Sequence, residues 1–122
     1  MSGERVVVQA PLPAVSARDG RLILAALAGP LAWLAQLGVG YGLVGPMCVA
    51  RSRWWLHALT AAALACVGLG ARHCWRGRAA PGDGAGDAAR RAIAWGGVGL
   101  AAFFALLVVG VDVPGWLLDP CE

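Results

Sequence analysis

Apolar residues in this chain gather into three long runs, Leu22–Gly45, Trp54–Ala71 and Ala92–Val111, of 24, 18 and 20 residues. None of the three contains a formal charge. A helix rising about 1.5 Å per residue needs about 20 mostly apolar residues to cross a bilayer. The pattern predicts an all-α membrane protein with three transmembrane helices, at about residues 22–45, 54–71 and 92–111. Residues 1–20 read as a tail, because Val6–Val8 is too short for the apolar core of a leader and Pro11 and Pro13 break the segment. The first span then serves as an uncleaved signal anchor, and 21–122 form one transmembrane domain. Residues 72–91, with the Gly, Ala, Pro and Asp of 76–91, read as a loop between spans two and three.

Small and polar positions subdivide these spans. Pro30 should kink the first helix, since it lacks a backbone donor and crowds the preceding turn. Gly38 and Gly42 form a small-xxx-small pair that lets another backbone come close. In the second helix Ala58, Ala62, Cys66 and Gly70 recur every four residues and predict a packing seam, with Cys66 as a small buried member. Gln36, Tyr41, His57 and Thr60 are the polar groups inside the spans. Counted from the outer helix ends they lie ~13, ~6, ~4.5 and ~9 Å deep. The antiparallel geometry predicts Tyr41 beside His57 and, more loosely, Gln36 beside Thr60. These contacts serve either the chain's own helices or a partner subunit, with a proton or quinone role for His57 as a further alternative. Asp112 is expected in the wet interface, next to a helix-ending Pro114.

Charge sets an expected orientation. All ten basic residues are Arg. Arg5, Arg18, Arg21, Arg72, Arg76, Arg78, Arg90 and Arg91 fall on one side of the predicted membrane, and only Arg51 and Arg53 on the other. The positive-inside rule places the N-terminus in the cytoplasm and the C-terminus outside. Trp54, Trp55, Trp75, Trp95 and Trp116 stand near span ends, where indole rings anchor at head groups.

Composition narrows the classes of function. The chain is 59% hydrophobic and only 14% charged, with mean hydropathy +0.67. Three spans leave no soluble domain to carry a basic groove, so the net charge of +3 points to lipid head groups and not to nucleic acid. No nucleophile–base–acid set is present, and Gly82, Gly84 and Gly86 follow no strand, so they form no phosphate loop. The expectation is a protein that is not an enzyme and holds no cofactor. Cys48 and Cys121 both fall on the outer side, where an oxidising compartment lets them pair. A disulfide there would close a large loop, worth roughly 4 kcal/mol for a free chain and less for one already confined by a bilayer. Two free thiols are the alternative. Met47, Cys48, His57 and Cys121 form a further set of soft ligands suited to copper, without a recognised metal spacing.

The string Gly29-Pro30-Leu31-Ala32-Trp33-Leu34-Ala35-Gln36, followed by Tyr41, Pro46 and Cys48, then Leu56-His57 and Asp119-Pro120-Cys121, resembles a family of small bacterial membrane proteins. Members of that family are encoded beside haem-copper (cytochrome c) oxidase genes. The likeness runs from about Gly29 to Cys121 and rests on scattered residues. It implies a non-catalytic accessory subunit or assembly factor of a respiratory complex in the bacterial inner membrane, with terminal oxidase subunits as partners. It transfers no haem or copper ligand. It makes Trp33, Gln36, Tyr41, Cys48, His57 and Cys121 candidates for structural or partner contacts. A small oligomeric transporter or channel and a copper-handling protein stand as alternatives.

Overall fold

A computed structural model describes residues 16–79, 82, 84–119 and 121. Four helices hold 88% of these residues, and no strand occurs among them. They are α1 (Ala17–Ala26), α2 (Ala28–Ala50), α3 (Trp54–Gly77) and α4 (Ala85–Leu117). Helices α2, α3 and α4 are each long and apolar enough to cross a membrane. Residues 1–15, most of the predicted tail, lie outside the described residues.

The first predicted span is interrupted. Leu27 separates α1 from α2. Pro30 has no N–H for the Ala26 carbonyl, and its ring crowds that carbonyl, so the ladder breaks one turn upstream. Helix α1 begins earlier than the apolar run. Ser16 caps it, its hydroxyl accepting from the Asp19 amide at 3.2 Å.

The second predicted span starts at Trp54 as expected, and the remaining boundaries move outward. Helix α2 continues through Pro46 to Ala50, and Arg51 closes it in the left-handed region at φ 51°. Helix α4 starts at Ala85, so the predicted 72–91 loop shrinks to the few residues between Gly77 and Ala85. Charge pairing explains the extra turns of α4. Arg90 Nε donates to Asp19 Oδ1 at 2.7 Å and ties α4 to α1, while Arg90 Nη1 stands 3.7 Å from Asp87. At the same end Arg78 lies over the Trp75 ring, 3.7 Å from its centroid.

Packing is tightest where α1 crosses α3 and α4. Leu22, Cys74 and Ala94 are buried together, with Ala25, Ala26 and Val98 against them. Two glycines permit the approach. A Cβ on Gly70 would lie 2.6 Å from Ala28 Cβ and 2.7 Å from the Ala25 carbonyl oxygen. One on Gly97 would meet Cys74 Sγ at 2.5 Å and Ala26 Cβ at 3.1 Å.

The seam of α3 differs from the predicted one. Thr60, Ala63, Val67, Gly70 and Cys74 are buried, whereas Ala58, Ala62 and Cys66 are exposed. Spacings alternating between three and four follow one helix face over several turns, while strict four-residue steps drift around it. Gly70 belongs to both rows. Gly38 and Gly42 also face outward, with nothing within 4 Å of an added Cβ.

The Arg90 hydrogen bond, followed by the Ser16 hydroxyl, holds the Asp19 carboxyl below its ordinary value of 3.8. A carboxylate favoured by folding stabilises above its unfolded pKa and loses that contribution as pH falls through the folded one. Hydrogen exchange of the α1 amides, corrected for intrinsic rates, should therefore be flat from neutral pH down to about 4 and rise only below it. Arg90→Ala should shrink the step to the part that Ser16 supplies.

Candidate functional site

Polar side chains from the three long helices meet at the end that carries Cys48 and Cys121. Helix α2 supplies Gln36, α3 supplies His57 and Thr60, and α4 supplies Asp112 and Trp116. Asp112 is the hub. Thr60 Oγ1 donates to its Oδ1 at 3.0 Å, and Trp116 Nε1 donates to its Oδ2 at 2.8 Å. His57 Nδ1 stands 3.3 Å from both oxygens. The His57 and Trp116 rings also pack together, with centroids 4.5 Å apart.

Hydrogen counting orients the cluster. A carboxylate only accepts, so the single hydroxyl hydrogen of Thr60 goes to Asp112. Toward Gln36 the hydroxyl can then only accept, which requires the amide nitrogen there. Gln36 Nε2 indeed donates to Thr60 Oγ1 at 3.1 Å. The amide oxygen is consequently turned away, and Gln36 Oε1 is buried without a partner. One turn earlier on α2, Trp33 Nε1 is likewise buried and unpaired while its ring packs on Phe104, with centroids 5.7 Å apart. A buried polar atom without a partner typically costs about 1–3 kcal/mol.

The Gln36–Thr60 contact predicted from depth is present. The predicted Tyr41–His57 contact is not. Tyr41 is 79% exposed, and the His57 ring nitrogen turns to Asp112 instead. The reason lies in α4, which does not stop at Pro114 but runs on to Leu117. Pro114 removes only its own donor, and the continuing turn sets Asp112 and Trp116 four residues apart on one face. Asp112 is thus drawn between helices, with 16% of its side chain exposed. The i, i+4 spacing of Asp112 and Trp116 across a proline was the one signal in the sequence that pointed this way.

A cavity of about 250 Å³ adjoins the cluster. Leu37, Val44, Leu56, Leu59 and Val111 supply apolar walls, and Gln36, His57, Thr60 and Asp112 supply the polar side. Beyond it, Cys48 and Cys121 stand at disulfide distance with Cα atoms 5.5 Å apart, joining the end of α2 to the segment after α4. Arg53 Nη2 donates to Asp119 Oδ2 at 3.0 Å beside them; being exposed, this pair adds little stability.

Of the soft-ligand set, Met47, Cys48 and Cys121 line one hollow, and His57 stands apart from it. Cys48 and Cys121 face each other, Met47 is buried, and His57 faces Asp112. Among the described residues no group of three His, Cys, Asp or Glu stands close enough to hold a metal ion. No family model, curated protein or solved structure matches this chain.

Proposed function

We propose that this chain is a non-catalytic accessory subunit or assembly factor of a larger complex in the bacterial inner membrane. Its N-terminus is cytoplasmic, and its disulfide-linked end faces the oxidising side. The carrying observation is that its narrow faces point outward. Gly38 and Gly42 on α2 and Ala58, Ala62 and Cys66 on α3 touch no other helix of the chain closely enough to be buried. At most 22% of any span's apolar stretch is buried within the molecule. In hydrocarbon, close approach of small-residue faces is a main source of helix association. Such faces suit a neighbouring helix better than lipid tails. The resemblance to proteins encoded beside haem-copper oxidase genes makes terminal oxidase subunits the first partners to test. A transporter would need a polar route through the spans, whereas the hydrogen-bonded polar cluster within them lies at the disulfide end alone.

Cys66 offers a direct probe. It is exposed on the proposed face, while Cys74 is fully buried. A thiol-directed photocrosslinker on native membranes should therefore react at Cys66 alone. The expected product is an adduct with a larger membrane protein, co-purifying in mild detergent and lost in Ala62→Trp. Recovery of the lone chain, with no adduct from Cys66, would overturn the proposal.

A further inference from the structure

Gln36 is only 7% exposed, yet its amide oxygen has no partner. It forms part of the wall of the cavity between α2, α3 and α4. The amide cannot be turned to repair this, because Thr60 has already given its hydrogen to Asp112. Asp112 also fixes the His57 ring. With Nδ1 held on the carboxylate, Nε2 is left without a protein partner among the described residues. Apart from the second amide hydrogen of Gln36, the donors of the cluster are engaged, whereas the Gln36 oxygen is left over as an acceptor. A molecule complementary to such a site brings hydroxyl hydrogens.

Space is available for it. The volume of about 250 Å³ lies just under the roughly 300–1,000 Å³ of small-molecule pockets, so it fits a head group and not an entire large ligand. Gly40 and Gly115 both line the cavity. Neither is required by helix packing. A Cβ on Gly40 would meet only Leu59 Cδ2, at 4.0 Å, and one on Gly115 would meet nothing within 4 Å. Their missing side chains leave room in the cavity and do not serve a close helix contact. The walls are aliphatic, and α2, α3 and α4 are the helices suited to span hydrocarbon, so the natural route of entry is from the bilayer.

We infer that this cavity binds the hydroxyl-bearing head of a bilayer-dissolved amphiphile, with Gln36 Oε1 accepting its hydrogen bond. Two sources share that chemistry: an alkyl hydroquinone and a lipid with a free diol head. The inference does not depend on partner docking, since the cavity and the face bearing Ala58, Ala62 and Cys66 use different residues.

The test is calorimetric titration of the full chain in maltoside micelles. The probes are a decyl hydroquinone, its dimethyl ether and a short-chain phosphatidylglycerol. Saturable binding of the hydroquinone, with the ether about tenfold weaker or worse, is the expected result for the ring source. Saturable binding of phosphatidylglycerol alone identifies the lipid source. In either case Gly40→Leu should abolish binding by filling the cavity, and Gln36→Leu should weaken it about tenfold by removing the acceptor. Gly40→Leu has the space to fold, and helical circular dichroism with two free thiols confirms it. Absence of saturation by either probe, equal binding of the ether, or undiminished binding to Gly40→Leu would each overturn the inference.

Discussion

Replacing Gly70 by leucine is expected to unseat α1 and the start of α2 from α3. Even a single added carbon would lie 2.7 Å from a backbone oxygen, that of Ala25, which cannot swing aside as a side chain would. The remaining carbons of leucine would have to pass between Ala25 and Ala28. Overpacking a close-packed contact typically costs about 1–3 kcal/mol, and a clash with backbone belongs at or above the top of that range. Gly68 is the control. It lies on the same helix, and an added Cβ would meet nothing within 4 Å. Gly68→Leu should be neutral or slightly stabilising, because glycine is a poor helix former. Equilibrium unfolding in mixed micelles compares the two. Equal stability of the variants would mean that α1 does not cross α3 at this point.

Removing the carboxylate of Asp112 is the second large effect. Asp112→Ala strips the acceptor from Thr60, His57 and Trp116 at once. The Trp116 bond lies within α4, and the Thr60 and His57 contacts cross to α3. Interhelical hydrogen bonds in membrane proteins are worth about 0.6 kcal/mol on average and at most about 1.7, so losing the two that cross costs roughly 1–3 kcal/mol. Asp112→Asn should cost less. It keeps one accepting oxygen for Thr60, but its amide hydrogens face groups that themselves donate. Tyr41→Phe should change nothing measurable, since Tyr41 is exposed and has no hydrogen bond among the described residues. Thermal unfolding followed by circular dichroism ranks the three variants. The order Asp112→Ala, Asp112→Asn, Tyr41→Phe is expected, from most to least destabilised. A stable Asp112→Ala protein would show that the hub is not holding α3 to α4.

Much of this architecture could be read along the chain, and the parts that could not share a cause. Three charge-free runs announce three spans because hydrocarbon excludes charge whatever the neighbouring helices do. Cys48 and Cys121 come to one end because an even number of crossings separates them. Gln36 and Thr60 pair because depth follows residue count on rigid helices. The face of α3 was not legible in the same way. Alanine and glycine occur on several sides of it, so the rows through Cys66 and through Val67 both look narrow, and they share Gly70. The destination of His57 was hidden by Pro114. A proline ends many helices, and counting it as an end placed Asp112 in water.

Residue order alone thus indicates what depends on one helix and its solvent: three apolar helices, the shared end of Cys48 and Cys121, and a break near Pro30. Rotation of each helix about its axis, the extension of α4 past Pro114, the hub at Asp112 and the unpaired oxygen of Gln36 required the assembled bundle. The division has a physical basis. Transfer from water to hydrocarbon is nearly additive over residues, whereas contact between helices depends on which faces meet. In a chain built so largely of alanine and glycine, several faces are nearly equivalent until backbone clashes and a few hydrogen bonds select among them.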